Sequence, residues 1–137
     1  MRKLLFITAL LVVWLGNFSF AHGQKQTERF IPLGQSPGMS GKNTHIGKIE
    51  KSDPARYAIT ISGIDRPYTV TITDRTHIWL DRSKLKMATL TGRYADLQVG
   101  RRIEVKYEDP ERWQFAEWIK VEMSEPGGAA PEAERAP

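Results

Sequence analysis

Apolar and polar residues alternate with period two through the middle of the chain, the spacing of strands with one face buried. Tyr57, Ile59 and Ile61 alternate with Ala58, Thr60 and Ser62, and Tyr68, Val70 and Ile72 with Thr69, Thr71 and Thr73. Gly63-Ile64-Asp65-Arg66-Pro67 lies between these runs and carries the Gly and Pro that a tight reversal needs, which predicts a hairpin. After a bend at Asp74-Arg75, Thr76, Ile78 and Leu80 form one face of a strand and His77 and Trp79 the other. Ile103, Val105 and Tyr107 alternate with Arg102, Glu104 and Lys106. Asp109-Pro110-Glu111 then turns the chain into a last strand over 115–123, with Ile119, Val121 and Met123 on one face. Residues 46–50 form a weaker first strand. Only residues 83–97 break the pattern: Lys84-Leu85-Lys86-Met87 reads as a loop or an irregular turn, and 93–97 as a short helical turn.

Five alternating strands with a short helical connection before the fourth predict an all-β fold, a small Greek-key barrel of the OB type. Closure also removes the exposed edges that an open meander or small sandwich of this size would present. Nearly all the β-branched and aromatic residues fall within 44–123, a single domain of about 80 residues, close to the lower limit for stability from a core alone. Residues 24–43, with Pro32, Gly34, Pro37, Gly38 and Gly41, have the composition of a disordered linker. Residues 124–137, with Pro126-Gly127-Gly128, Pro131 and Pro137, read as a disordered tail.

Three stretches carry a resemblance: Ile49-Glu50-Lys51, then Tyr68-Thr69-Val70-Thr71-Ile72-Thr73 leading to Asp74-Arg75-Thr76, and above all Tyr94-Ala95-Asp96-Leu97-Gln98-Val99-Gly100-Arg101-Arg102-Ile103-Glu104-Val105. Over about 44–123 the chain resembles small secreted bacterial OB-like domains of unassigned function. The resemblance implies the barrel and no catalytic residue. In physical terms, Leu97 and Val99 are expected to plug the barrel end while Gly100 permits the turn into the next strand.

The first 23 residues change the setting. Met1-Arg2-Lys3 is a positive n-region, residues 4–15 are an uncharged apolar run, and Ser19, Ala21 and Gly23 offer cleavage after Ala21 or Gly23. The expectation is a signal peptide over 1–23 and a periplasmic or secreted protein, in contact with the membrane only if the signal stays uncleaved. The run is short for a membrane span, which needs about 20 apolar residues. The chain has no cysteine, so neither a disulfide framework nor a lipidated cysteine enters. Removing Arg2 and Lys3 from 20 basic residues leaves 18 against 16 acidic ones. So even a balance does not imply a nucleic-acid or membrane partner.

Catalytic signatures are missing from the pattern. Most carboxylates lie at turns, where Asp bonds its own backbone, and no serine sits in a Gly-x-Ser-x-Gly elbow, so a non-enzymatic protein without cofactor is expected. Two metal readings exist. Cleavage after Ala21 would make His22 the N-terminal residue, the start of a copper-binding amine and imidazole pair, with His45 or His77 as partner. Alternatively His77, Trp79 and Met87 resemble the soft ligand set of small periplasmic Cu(I) carriers, though without their compact spacing. The favoured reading is a binding face. Alternation sends Thr60, Ser62, Thr69, Thr71, His77, Trp79, Lys106, Trp118 and Lys120 outward. Trp79 and Trp118, near Lys106 and His77, would then stack against an envelope protein, a peptide or a polysaccharide. The competing expectation is that these tryptophans pack against a barrel end or against the linker.

Overall fold

The alternating runs become strands because each buries one row of β-branched side chains and satisfies its backbone by pairing sideways. In the computed structural model, which describes residues 27–124, seven strands form: β1 His45–Asp53, β2 Ala58–Ile61, β3 Tyr68–Thr71, β4 His77–Asp81, β5 Leu90–Thr91, β6 Arg102–Asp109 and β7 Arg112–Glu122. The expected signal peptide and nearly all of the expected tail lie outside the described residues. The only helical elements among the described residues with assigned bounds are 3₁₀ turns at Ser83–Leu85 and Tyr94–Asp96. None is long and apolar enough to cross a membrane.

Five strands close a ring. β3, β2, β1, β6 and β7 are neighbours in that order, and β3 returns to β7 through a parallel pair at Thr71 and Phe115. The other four contacts of the ring are antiparallel. This is the all-β, OB-like Greek-key barrel expected from the sequence. β4 continues the line of β3 along β7, pairing His77 with Trp118 through Asp81 with Glu122, and the two-residue β5 flanks it. Between Thr71–Phe115 and His77–Trp118 the β3 side has extra residues, which loop out. Thr76 Oγ1 donates to the Ala116 carbonyl at 2.8 Å and so replaces a backbone bond at this break.

Ile49, Ile59, Ile61, Val70, Leu80, Ile103, Val105, Ile119 and Val121 fill the interior. Each such side chain, taken from water, contributes about 1.5–3 kcal/mol. Leu97 plugs the barrel end as expected, but Val99 is 62% exposed and does not. Gly100 has φ +89°, the left-handed turn that frees the chain to enter β6. Tyr57, expected inside, is instead the left-handed residue before β2, with φ 48°. It lies 58% exposed against Tyr94, at a ring separation of 5.0 Å.

The expected linker is the largest departure. Residues 27–43 lie as a strap across the outer face of β6, β7 and β4. Its sequence carries few apolar residues because it is held by polar bonds. Leu33 N donates to Asp81 Oδ2 at 2.7 Å, and Gly34 N to Glu104 Oε2 at 2.8 Å. Ser40 and Thr44 hydroxyls donate to Glu104 Oε1 at 2.6 and 2.7 Å. Lys120 Nζ reaches Glu28 Oε2 at 3.2 Å and the Ser36 hydroxyl at 3.0 Å. Glu104 and Lys120 are fully buried beneath it, so each needs these partners.

Candidate functional site

The strap decides which outer face is available. Trp79 and Trp118, expected as an exposed stacking platform, are 6% and 1% exposed. Their rings pack at 5.5 Å from each other, and the Lys120 ammonium lies 4.7 Å from the Trp118 ring. The tryptophans therefore cover the contact between barrel and linker, the competing expectation above. His77 remains exposed and stacks on Trp79 at 6.0 Å with 13° between the planes. Lys106 is half-buried and paired with Glu117 at 3.0 Å. These residues share a face, as the alternation predicts, but that face is occupied by the chain itself.

The Cu(I) ligand set does not converge. His77 opens β4, whereas Met87 lies beyond its far end, its N–H bonded to the Arg82 carbonyl at 3.2 Å. Five residue rises separate His77 from Arg82, about 16 Å at strand spacing. Met87 itself is 49% exposed. Among the described residues no group of three or more His, Cys, Asp or Glu could hold a metal ion. His22 lies outside them.

The opposite face is open. Ile59, Ile61 and Val70 point inward, and their neighbours Thr60, Thr69 and Thr71 therefore point outward, with Thr69 exposed and the other two half-buried. Thr60 and Thr69 are cross-strand partners whose hydroxyls lie 3.4 Å apart. Lys51 pairs with Thr60 on one side and Phe115 with Thr71 on the other, extending the rows across β1, β2, β3 and β7. Phe115 is 39% exposed. Tyr57 marks one end of the face and Trp113, packed on the Tyr68 that pairs with Ile61, the other, roughly 13 Å apart along β2 at strand spacing. The signal for this face was present as Trp113-Gln114-Phe115, a period-two aromatic pair just after the predicted turn.

Trp113 belongs to a ring cluster at the mouth of the barrel. β7 carries extra residues between the Asp109–Arg112 and Tyr107–Ala116 pairs, and this irregularity leaves the indole over the mouth. It stacks on Tyr107 with 0° between planes at 5.3 Å and touches Tyr68 at 5.0 Å and His45 at 5.3 Å. Burial, followed by the neighbouring Tyr68, pushes the Tyr107 phenol far above its ordinary range. At the hairpin tip Arg112 and the Glu111 N–H both bond Asp109, and these contacts, the Arg112 side chain first, hold its carboxyl below the usual value. A hollow of about 170 Å³ beside the tip, between Glu108, Arg112 and Phe115, is smaller than the roughly 300 Å³ at which small-molecule sites begin. The open face suits an extended ligand better than a compact one.

Comparison of the chain with protein-family models, with curated proteins and with solved structures finds no match.

Proposed function

We propose that the protein is a non-enzymatic, exported binding module that receives an extended, largely uncharged polymer, an oligosaccharide, across the β2–β3 face. One observation carries this reading. The strap covers the outer face of β6, β7 and β4, while the β2–β3 face keeps a row of threonine hydroxyls flanked by exposed Tyr57, Phe115 and Trp113. Aromatic rings offer a flat apolar surface to a sugar ring, and hydroxyls bond its edge. OB barrels use this face and its bordering loops for oligomeric ligands. The reading of export is supported by the signal-peptide pattern of residues 1–23.

Amide-shift mapping of the mature protein, titrated with maltodextrin oligomers and with N-acetylglucosamine oligomers, tests it. Shifts are expected at Thr60, Thr69, Thr71 and Phe115, and are expected to vanish in Phe115→Ala. Shifts confined to the strap, or none with either series, would sink the reading. For export, mass spectrometry of the protein from the cell envelope is expected to find an N-terminus at Gln24 or His22; an intact Met1 would contradict cleavage.

A further inference from the structure

Charge is distributed unevenly over the molecule. Residues 82–102 hold six basic residues, Arg82, Lys84, Lys86, Arg93, Arg101 and Arg102, against one acid, Asp96. The rest of the described chain holds ten basic residues against twelve acidic ones. Asp96 is 1% exposed and accepts the Arg93 N–H at 2.8 Å, capping its own turn.

Pairing of the strands orders part of this charge. Lys48 of β1 is the register partner of Arg102 of β6. Arg102 Nη1 lies 3.0 Å from Glu122 of β7, and Lys84, just beyond the end of β4, lies 2.9 Å from the same carboxylate. Neighbouring strands are about 4.8 Å apart, so Lys48, Arg102 and Glu122 form a transverse row roughly 10 Å long across β1, β6 and β7, and Lys84 joins it at Glu122, whose register partner on β4 is Asp81. Arg101, bonded to Met123 Sδ at 3.4 Å, sits beside it. The row lies on the strap's own face, at the margin where Gly34 borders Arg102, and there Lys84 and Arg102 keep 58% and 43% of their side chains exposed. The acids facing the row are Glu122 and Glu50; Asp81 is buried and accepts from Leu33 and Ser83.

We infer that this row is a track for a linear polyanion, a flexible chain bearing phosphate or sulfate groups, separate from the β2–β3 face. Lys84 and Arg102 bind opposite oxygens of one carboxylate and Lys48 lies one strand further on, so the cations are spread sideways across the sheet, which matches repeated anions along a polymer better than a single small ion. Glu122 holds Lys84 and Arg102 in place, and a polymer anion would compete with it for both.

Titration of the mature protein with inorganic polyphosphate and with dextran sulfate, at increasing NaCl, tests the inference. Affinity is expected to fall linearly with salt on logarithmic axes, since each neutralised anion releases a counterion. The variant Lys48→Gln/Lys84→Gln/Arg102→Gln is expected to lose at least about tenfold in affinity and to flatten the salt slope by roughly two units. The control Lys42→Gln/Arg56→Gln/Arg75→Gln removes the same charge elsewhere and is expected to change affinity less than about twofold. Glu122→Gln frees two cations and is expected to tighten binding severalfold. Equal losses in the two triple variants, no tightening in Glu122→Gln, or no polymer binding by the unaltered protein at low salt would overturn the inference. Binding to phosphatidylglycerol vesicles but to neither polymer would overturn it as well.

Discussion

Trp79 shows how far a single residue can be read from the sequence. Alternation assigns it correctly to the face opposite Ile78 and Leu80, yet direction is not exposure, and the strap covers that face. The clue lay in its neighbours: Glu104, Trp118 and Lys120 point the same way, a bulky ring among charges that the strap later pairs. Trp79→Ala is therefore expected to destabilise by about 3–5 kcal/mol, comparable to Ile72→Ala, as a buried large-to-small change leaves a cavity. Thermal melts of both variants check this, and a loss below about 0.5 kcal/mol for Trp79→Ala would return it to the surface class. Tyr107 makes a second residue-scale prediction. Its phenol is raised in the folded protein, above the ordinary 10.0. The unfolded chain thus loses this proton first as pH rises, so the stabilisation is intact below pH about 10 and declines above it. Tyr107→Phe removes the titrating group and is expected to move the alkaline unfolding midpoint upward. A midpoint unchanged or lowered, followed by circular dichroism, would contradict the assignment.

Elements were legible where burial imposes a period and illegible where polar bonds impose the structure. β2, β3, β6 and β7 follow the alternation to within a few residues, and the two short turns in 83–97 fall where the pattern breaks. β5 escapes because two residues have no period. The strap escapes for a stronger reason: Gly34, Ser36, Ser40 and Thr44 have loop composition, and their partners Glu104 and Lys120 lie 60 to 84 positions away in the sequence. A chain beginning at Thr44 is expected to be severely destabilised, because it uncovers Trp79 and Trp118, takes Gly34 and Ser40 from Glu104 so that Thr44 alone of these partners remains, and removes both Glu28 and Ser36 from Lys120. A red-shifted tryptophan emission and an early melt would show this; a melt like that of the mature chain would mean the strap is dispensable. Glu28→Gln isolates one bond of the strap. Breaking a buried pair by removing one partner costs roughly 3–5 kcal/mol, reduced here because Lys120 keeps the Ser36 hydroxyl.

At the scale of the molecule the barrel is closed unevenly. β6 and β7 form a long ladder, and β1 is paired on both sides, but β3 meets β7 through the one pair Thr71–Phe115. Below that pair the strands are separated by rings, with Tyr68 against Trp113, rather than joined by backbone bonds. Local opening draws on the regions with the fewest backbone bonds to break, so this seam is the weak line of the barrel. Hydrogen exchange of the mature protein is expected to be slowest at Val105, Ile119 and Val121, and much faster at Tyr68, Gln114 and Phe115. The seam also borders the proposed ligand face. A ligand lying across Thr60, Thr69 and Phe115 bridges β2, β3 and β7 and binds only the closed arrangement, so it opposes opening by mass action. Saturation with a bound oligosaccharide is thus expected to slow exchange at the seam while leaving β6 unchanged until global unfolding. Protection that rose uniformly over all strands would mean that the ligand stabilises the fold as a whole, and that the seam has no separate opening. Exchange at Tyr68 and Phe115 as slow as at Val105, in the absence of ligand, would remove the weak line itself.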